Sequence, residues 1–192
     1  MVDGVPAPAV DEVPAPAEAR LILVTGGARS GKSAFAQEEA QRLGGDGVSF
    51  IATAQALDAE MNERIAAHRA QRPREWQTLE EPLNVSAALR QARHEVVLLD
   101  CLALWVSNLL LRQPDPVERL EALIPHLEAL LEAWRDTGKR LLVVTNEVGL
   151  GIVPENPLAR RYRDLLGFAN ARLAREAGAV YLMVAGLPLR LK

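Results

Sequence analysis

The segment Leu21–Gln37, LILVTGGARSGKSAFAQ, constrains this chain more than any other. An apolar run ends in Gly26-x-x-x-x-Gly31-Lys32-Ser33, the full spacing of a phosphate-binding loop, and a helix-forming stretch follows. Each part has a physical task. The glycines let the backbone turn tightly and bring N–H groups to phosphate oxygens. The helix that follows points its positive end at the same anions. Lys32 supplies a charge for the β- and γ-phosphates, and Ser33 a hydroxyl for Mg²⁺. A chance match in a glycine-rich turn is the competing explanation, and the strand before and helix after argue against it.

Beyond the loop, short apolar runs alternate with amphipathic segments. Strands are predicted at Leu21–Thr25, Val48–Thr53, Val96–Asp100, Leu141–Thr145 and Val180–Ala185. Helices are predicted from Lys32 to Gly44-Gly45, from near Asp58 past His68 toward Pro73, over Ser86–Arg93, and over Cys101–Arg112. Another opens at Asp115, where Asp115, Pro116 and Glu118 form a capping pattern. Its apolar stripe is Val117, Leu120, Leu123, Leu127, Leu130 and Trp134, it contains Pro125, and Gly138 ends it. The last runs from Asn156-Pro157 to near Gly178. This alternation predicts an α/β, P-loop NTPase-like fold: a mostly parallel sheet with helices on both faces and its ligand at the carboxyl ends of the strands.

The chain of 192 residues suits a single domain over residues 20–192, preceded by an Ala/Pro-rich tail, 1–19, in which VPAPA occurs twice. The tail reads as extended and mobile, a bland leader rather than a docking segment. A net charge of -3 gives no general attraction to nucleic acid or anionic membrane. No run approaches the roughly 18 apolar residues of a membrane span. The single cysteine, Cys101, allows no internal disulfide. With no signal-peptide pattern, the expectation is a soluble cytoplasmic protein without a nucleic-acid partner.

Asp100 ends the core strand VVLLD, where an acid commonly holds the magnesium of a bound nucleotide; capping the next helix is the alternative. In IATAQALDAEMNERIAAHRAQRP, Glu60, Arg64 and His68 share a helical face, with Arg69 and Arg72 just beyond. Neighbouring arginines keep an imidazole neutral and nucleophilic, and they also suit a triphosphate. A solvated face with an idle histidine remains the alternative from spacing alone. His94 and His126 read as surface or packing residues. Thr145, Asn146 and Glu147, followed by Gly149 and Gly151, are placed for ligand contact at a strand end, or cap a helix. Arg160, Arg161 and Arg163 contact anions or solvate the last helix.

These stretches together with LLDCLALWVSNLL and VVTNEVGLGIVPENPLARRYRDLLGFANARLA resemble one family, from about Leu21 to the end. It is the bifunctional adenosylcobinamide kinase / adenosylcobinamide-phosphate guanylyltransferase of cobalamin biosynthesis. The resemblance implies phosphorylation of adenosylcobinamide by a nucleoside triphosphate, ATP or GTP. It then implies transfer of GMP from GTP onto the new phosphate through a guanylylated histidine, here His68. It also implies nucleotide contacts at Gly26, Gly27, Ala28, Arg29, Ser30, Gly31, Lys32 and Ser33. Further contacts fall at Ala52, Thr53 and Ala54, at Arg69, Ala70, Gln71 and Arg72, and at Glu80 and Asp100. On the motif reading Ser33 and Asp100 would serve Mg²⁺ and Lys32 would assist catalysis, and the resemblance implies a homotrimer. Two other readings compete: a single-function P-loop small-molecule kinase with no covalent GMP intermediate, and a nucleotide switch. The Asn-Lys-x-Asp stretch of GTPase switches is not found.

Overall fold

The computed structural model describes residues 19–56, 59–70 and 72–192, without the side chains of Glu60, Arg64, Ala67 and His68. Residues 1–18 of the predicted tail, the predicted helix start at Asp58, and Gln71 lie outside the described residues, while Ala19, counted with the tail, is buried in the core. Strands and helices alternate: β1 (Leu21–Gly26), α1 (Lys32–Gly44), β2 (Val48–Ala52), α2 (Ala59–Ala70), β3 (Gln77–Glu80), α3 (Val85–Gln91) and β4 (Val96–Asp100). Then follow α4 (Leu102–Leu111), α5 (Leu120–Thr137), β5 (Arg140–Val144), α6 (Pro157–Glu176), β6 (Ala179–Val184) and β7 (Leu187–Arg190).

The seven strands form one sheet in the order β3-β2-β4-β5-β1-β6-β7. All pairs are parallel except β6 with β7. The inner strands are apolar on both faces because helices cover both, and Leu21–Val24, Val96–Leu99 and Leu141–Val144 are buried without a break. The fold is therefore the P-loop NTPase-like α/β sheet expected. β1, the first described strand along the chain, lies inside the sheet between β5 and β6, with Val24 opposite Val144 on one side and Tyr181 on the other.

Two strands, β3 and β7, have no counterpart among the predicted ones. Both are sheet edges, half-exposed, and they lack the continuous apolar run that marks a buried strand. Pro188 further disguises β7, as an edge position tolerates it.

The helix expected to open at Asp115 opens instead at Leu120, behind Arg119, which makes no side-chain cap. The acids of the capping pattern are engaged elsewhere. Arg112 holds both the carbonyl and the carboxylate of Asp115, and Arg161 pairs with Glu118. Val117 is buried as predicted, but outside the helix, its N–H donating to Leu109 O. Leu120 is exposed rather than part of the buried stripe, while Leu123, Leu127, Leu130 and Trp134 are buried. Gly138 ends α5 at φ 69°, where a side chain would be strained. Asn156 caps α6 by accepting from Leu158 N and Ala159 N.

Candidate functional site

Strand register sets the floor of the site. Glu80, Ala52, Asp100 and Val144 are successive partners across β3, β2, β4 and β5, and thus form a row at the carboxyl edge. β1 joins that row at Val24, so Gly26 and the loop after it stand just above it.

The loop is packed too closely for larger residues. A Cβ on Gly26, at φ 151°, would lie 2.5 Å from Met183 O and 2.8 Å from Ser30 Oγ. Gly31, at φ 90°, faces Gly186 of the β6–β7 turn, and Gly186 N donates to Ser30 O at 3.1 Å. Gly31 precedes α1 without a side-chain cap, and the first turn carries no acid. Its N–H groups and dipole thus face the loop uncontested by a carboxylate. Lys32 is 8% exposed, and its ammonium donates to Gly27 O at 2.6 Å. Ser30 Oγ is buried with no hydrogen-bond partner among the described residues.

Above the row lies a cavity of about 420 Å³. Arg29, Ser30, Gly31, Lys32 and Ser33 line it from the loop side, and Ala52, Ala54, Arg72, Glu80 and Asp100 from the sheet side. Three cations thus face two acids. Arg72 lies with its guanidinium carbon 3.5 Å from the Phe50 ring centroid, and its Nε is buried without a described partner. Burial lowers its pKa, Asp100 opposes that, Arg69 adds to it, and Glu80 opposes it. Arg69 pairs with Glu80 and does not line the cavity, nor do Gly26, Gly27, Ala28, Thr53 or Ala70.

Thr53 is fully buried and serves as a brace. Its hydroxyl donates to Cys101 O at 2.8 Å and accepts from Cys101 N at 2.9 Å, while its N–H reaches Asp100 O at 3.3 Å. It therefore fixes the segment that carries Asp100. Thr145 also turns inward, donating to Asn170 Oδ1, whereas Asn146 lines the cavity. Glu147 stays local, its N–H on Gly26 O and its carboxylate accepting from Gly149 N. Cys101 lines the cavity, but burial and the neighbouring Asp100 push its thiol up to about 12. A neutral thiol is no nucleophile, and its sulfur instead accepts from Leu104 N as the cap of α4.

Apolar lining residues were not anticipated: Met61 and Ile65 of α2, Leu104 of α4, and Val144. Met61 and Ile65 are an i, i+4 pair in an otherwise polar helix, which is the signal available in the sequence. Position 68 recurs at i+7 and i+3 from them along α2. The side chain of His68 lies outside the described residues.

Ser33 and Asp100 bring a hydroxyl and a carboxylate to one cavity, hard oxygen donors that fit Mg²⁺ beside phosphates and water. Among the described residues no cluster of three or more His, Cys, Asp or Glu that could hold a metal ion exists. No described helix is long and apolar enough to cross a membrane.

A sequence model of the family described as "Cobinamide kinase / cobinamide phosphate guanyltransferase" matches residues 22–191. The bifunctional adenosylcobalamin biosynthesis protein CobP of Pseudomonas aeruginosa is 48% identical over 172 residues, covering 88% of this chain and 96% of that protein. The bifunctional adenosylcobalamin biosynthesis protein CobU of Escherichia coli is 41% identical over 184 residues, covering 90% and 99%. Among solved structures, the flagellar accessory protein FlaH from Methanocaldococcus jannaschii superposes with a TM-score of 0.50 at 14% identity. It covers 90% of this chain and 77% of FlaH, a likeness of fold alone.

Proposed function

The chain belongs to the cobinamide kinase / cobinamide phosphate guanyltransferase family, and on that premise we propose that it performs two transfers at one cradle. In the first, the aminopropanol hydroxyl of adenosylcobinamide attacks the γ-phosphorus of ATP or GTP, and the nucleoside diphosphate leaves. In the second, a neutral nitrogen of His68 attacks the α-phosphorus of GTP, and pyrophosphate leaves. The phosphate of adenosylcobinamide phosphate then attacks the same phosphorus. The P–N bond breaks, releasing adenosylcobinamide-GDP and free histidine.

The observation that carries this reading is the two-sided cavity. One wall is the loop Gly31-Lys32-Ser33 and the other is α2 at Met61 and Ile65, the helix that carries position 68. Lys32, Arg29 and Arg72 offset phosphate charge, Lys32 from a buried position where its charge acts more strongly than in water. Ser33 and Asp100 would hold Mg²⁺, which neutralises the charge of the triphosphate when bound. Asp100 is kept in place by Thr53. The homotrimer is supported by the family resemblance.

Incubation with GTP labelled at the α-phosphate is the test. The expected result is acid-labile, base-stable label on the protein, and none on His68→Ala. Equal label on His68→Ala would sink the assigned nucleophile. Transfer of γ-label to adenosylcobinamide without any protein adduct would favour the single-function kinase.

A further inference from the structure

The acceptor in this reading is a macrocycle rimmed with amides. It does not fit beside a triphosphate in a cavity of about 420 Å³. Its body must rest outside, on a surface continuous with the cavity.

One helix leads there. On α4, Leu104 lines the nucleotide cavity, while Ser107 and Leu111 line a second concavity of about 320 Å³. The three stand at i, i+3 and i+7, on one face, so Leu111 lies about 10 Å along the axis from Leu104. The opposite wall is the start of α6, at Asn156, Leu158 and Tyr162. Tyr162 donates its hydroxyl to Ala103 O at 3.2 Å, which sets the spacing of the two helices. Leu111 is 54% exposed and Leu158 42%. Ser107 and Asn156 add a hydroxyl and an amide, groups that pair with amides.

A second path joins the same two places. The segment from Asn146, in the nucleotide cavity, to Asn156, in the second concavity, carries Leu150, Ile152 and Val153 outward, with Ile152 97% exposed. Both ends are fixed. Glu147 N donates to Gly26 O at 3.0 Å, and Arg160 Nη1 donates to Pro154 O at 2.9 Å and Glu155 O at 2.6 Å. Contiguous exposed apolar side chains beside a reaction site mark a binding surface.

We propose that the groove between α4 and the start of α6, bordered by the Leu150–Val153 segment, holds the corrin body of the acceptor. Its hydroxyl-bearing arm runs past Leu104 to the phosphates. This rests on the two-transfer reading above. Leu111 and Leu158 set acceptor affinity and leave the nucleotide half of the chemistry untouched.

The test uses Leu111→Glu, Leu158→Glu, the double variant and the conservative Leu111→Met. Cobinamide binding is measured by equilibrium dialysis, read by corrin absorbance, and α-label incorporation from GTP is measured in parallel. The double variant is expected to bind cobinamide at least tenfold more weakly, with Leu111→Met near wild type and labelling retained. Wild-type affinity in the double variant overturns the groove alone. A wild-type protein that labels with GMP but binds no cobinamide overturns the groove and the acceptor together. Loss of labelling in parallel with binding overturns the assignment by tying the groove to the nucleotide site. Conversion of an oligomer to monomers, read by sedimentation, assigns the groove to a second copy and also overturns it.

Discussion

An arginine laid flat on an aromatic ring keeps its charge while giving up water. Arg72 does so on Phe50, within a cavity that also holds Lys32 and Asp100. On the proposed reading, a phosphate oxygen would supply the hydrogen bond that its buried Nε lacks among the described residues. Arg72→Ala is therefore expected to cut the rate of α-label incorporation at least tenfold at subsaturating GTP. Arg72→Lys should recover little, because an ammonium cannot reproduce the planar fork. Unchanged labelling of Arg72→Ala at low GTP would count against this role. At this scale the sequence is legible where backbone demands choose the residue, as at Gly26 and Gly31. It is less legible where only orientation decides. Nothing in the residue type of Thr53 says that its hydroxyl is spent on Cys101. Met61, Ile65 and Leu104 look like core residues until the cavity shows what they face.

Among the elements, α5 shows how tertiary contacts override a local signal. Asp115-Pro116-Val117-Glu118 is a sound helix start, yet Arg112 and Arg161 take the two acids, and the buried Val117 bonds back to Leu109. The helix begins where those contacts end. His126, in the second turn of α5, records this packing: burial lowers its pKa, Arg112 lowers it further, and Asp115 opposes. The unfolded chain thus binds this proton more readily than the fold does. Stability is retained above the unfolded value of 6.5 and is lost as pH falls from there toward the lowered folded value. His126→Gln should flatten the decline of Tm between about pH 7 and pH 5; an equally steep decline would show that other groups govern it. α5 is also tied to α6, through the two-pronged contact of Arg172 with Glu128 and the pairing of Arg135 with Glu176. Such pairs join long charged side chains from separate elements, and their partners cannot be read from either helix alone.

For the molecule as a whole, alternation of apolar and amphipathic segments was enough to indicate a parallel α/β sheet, but not the order of its strands. Alternation is silent on which strands are neighbours, and edge strands β3 and β7 leave little apolar signal. Because the loop, β2, β3, β4 and β5 all contribute to the cavity wall, nucleotide binding should stabilise the entire domain. At a hundredfold excess over Kd the gain is about 2.7 kcal/mol. That corresponds to a Tm rise of roughly 5–10 °C for a domain of this size. Calorimetry should show the rise with GTP and Mg²⁺ and a much smaller one for Lys32→Ala; no rise in the wild type would contradict the site. The interior place of β1, between β5 and β6, has a consequence for how the protein is made. Its neighbours β5 and β6 follow it by more than a hundred residues, and the turn that supports the phosphate loop, at Gly186, comes later still. At typical elongation rates, the strand leaves the ribosome roughly 6–20 s before either neighbour exists. Both edges of an apolar strand are then unpaired, which makes Leu21–Val24 the segment of the nascent chain most in need of shelter. The phosphate cradle, translated ahead of the strands and turn that support it, is among the last parts to be finished.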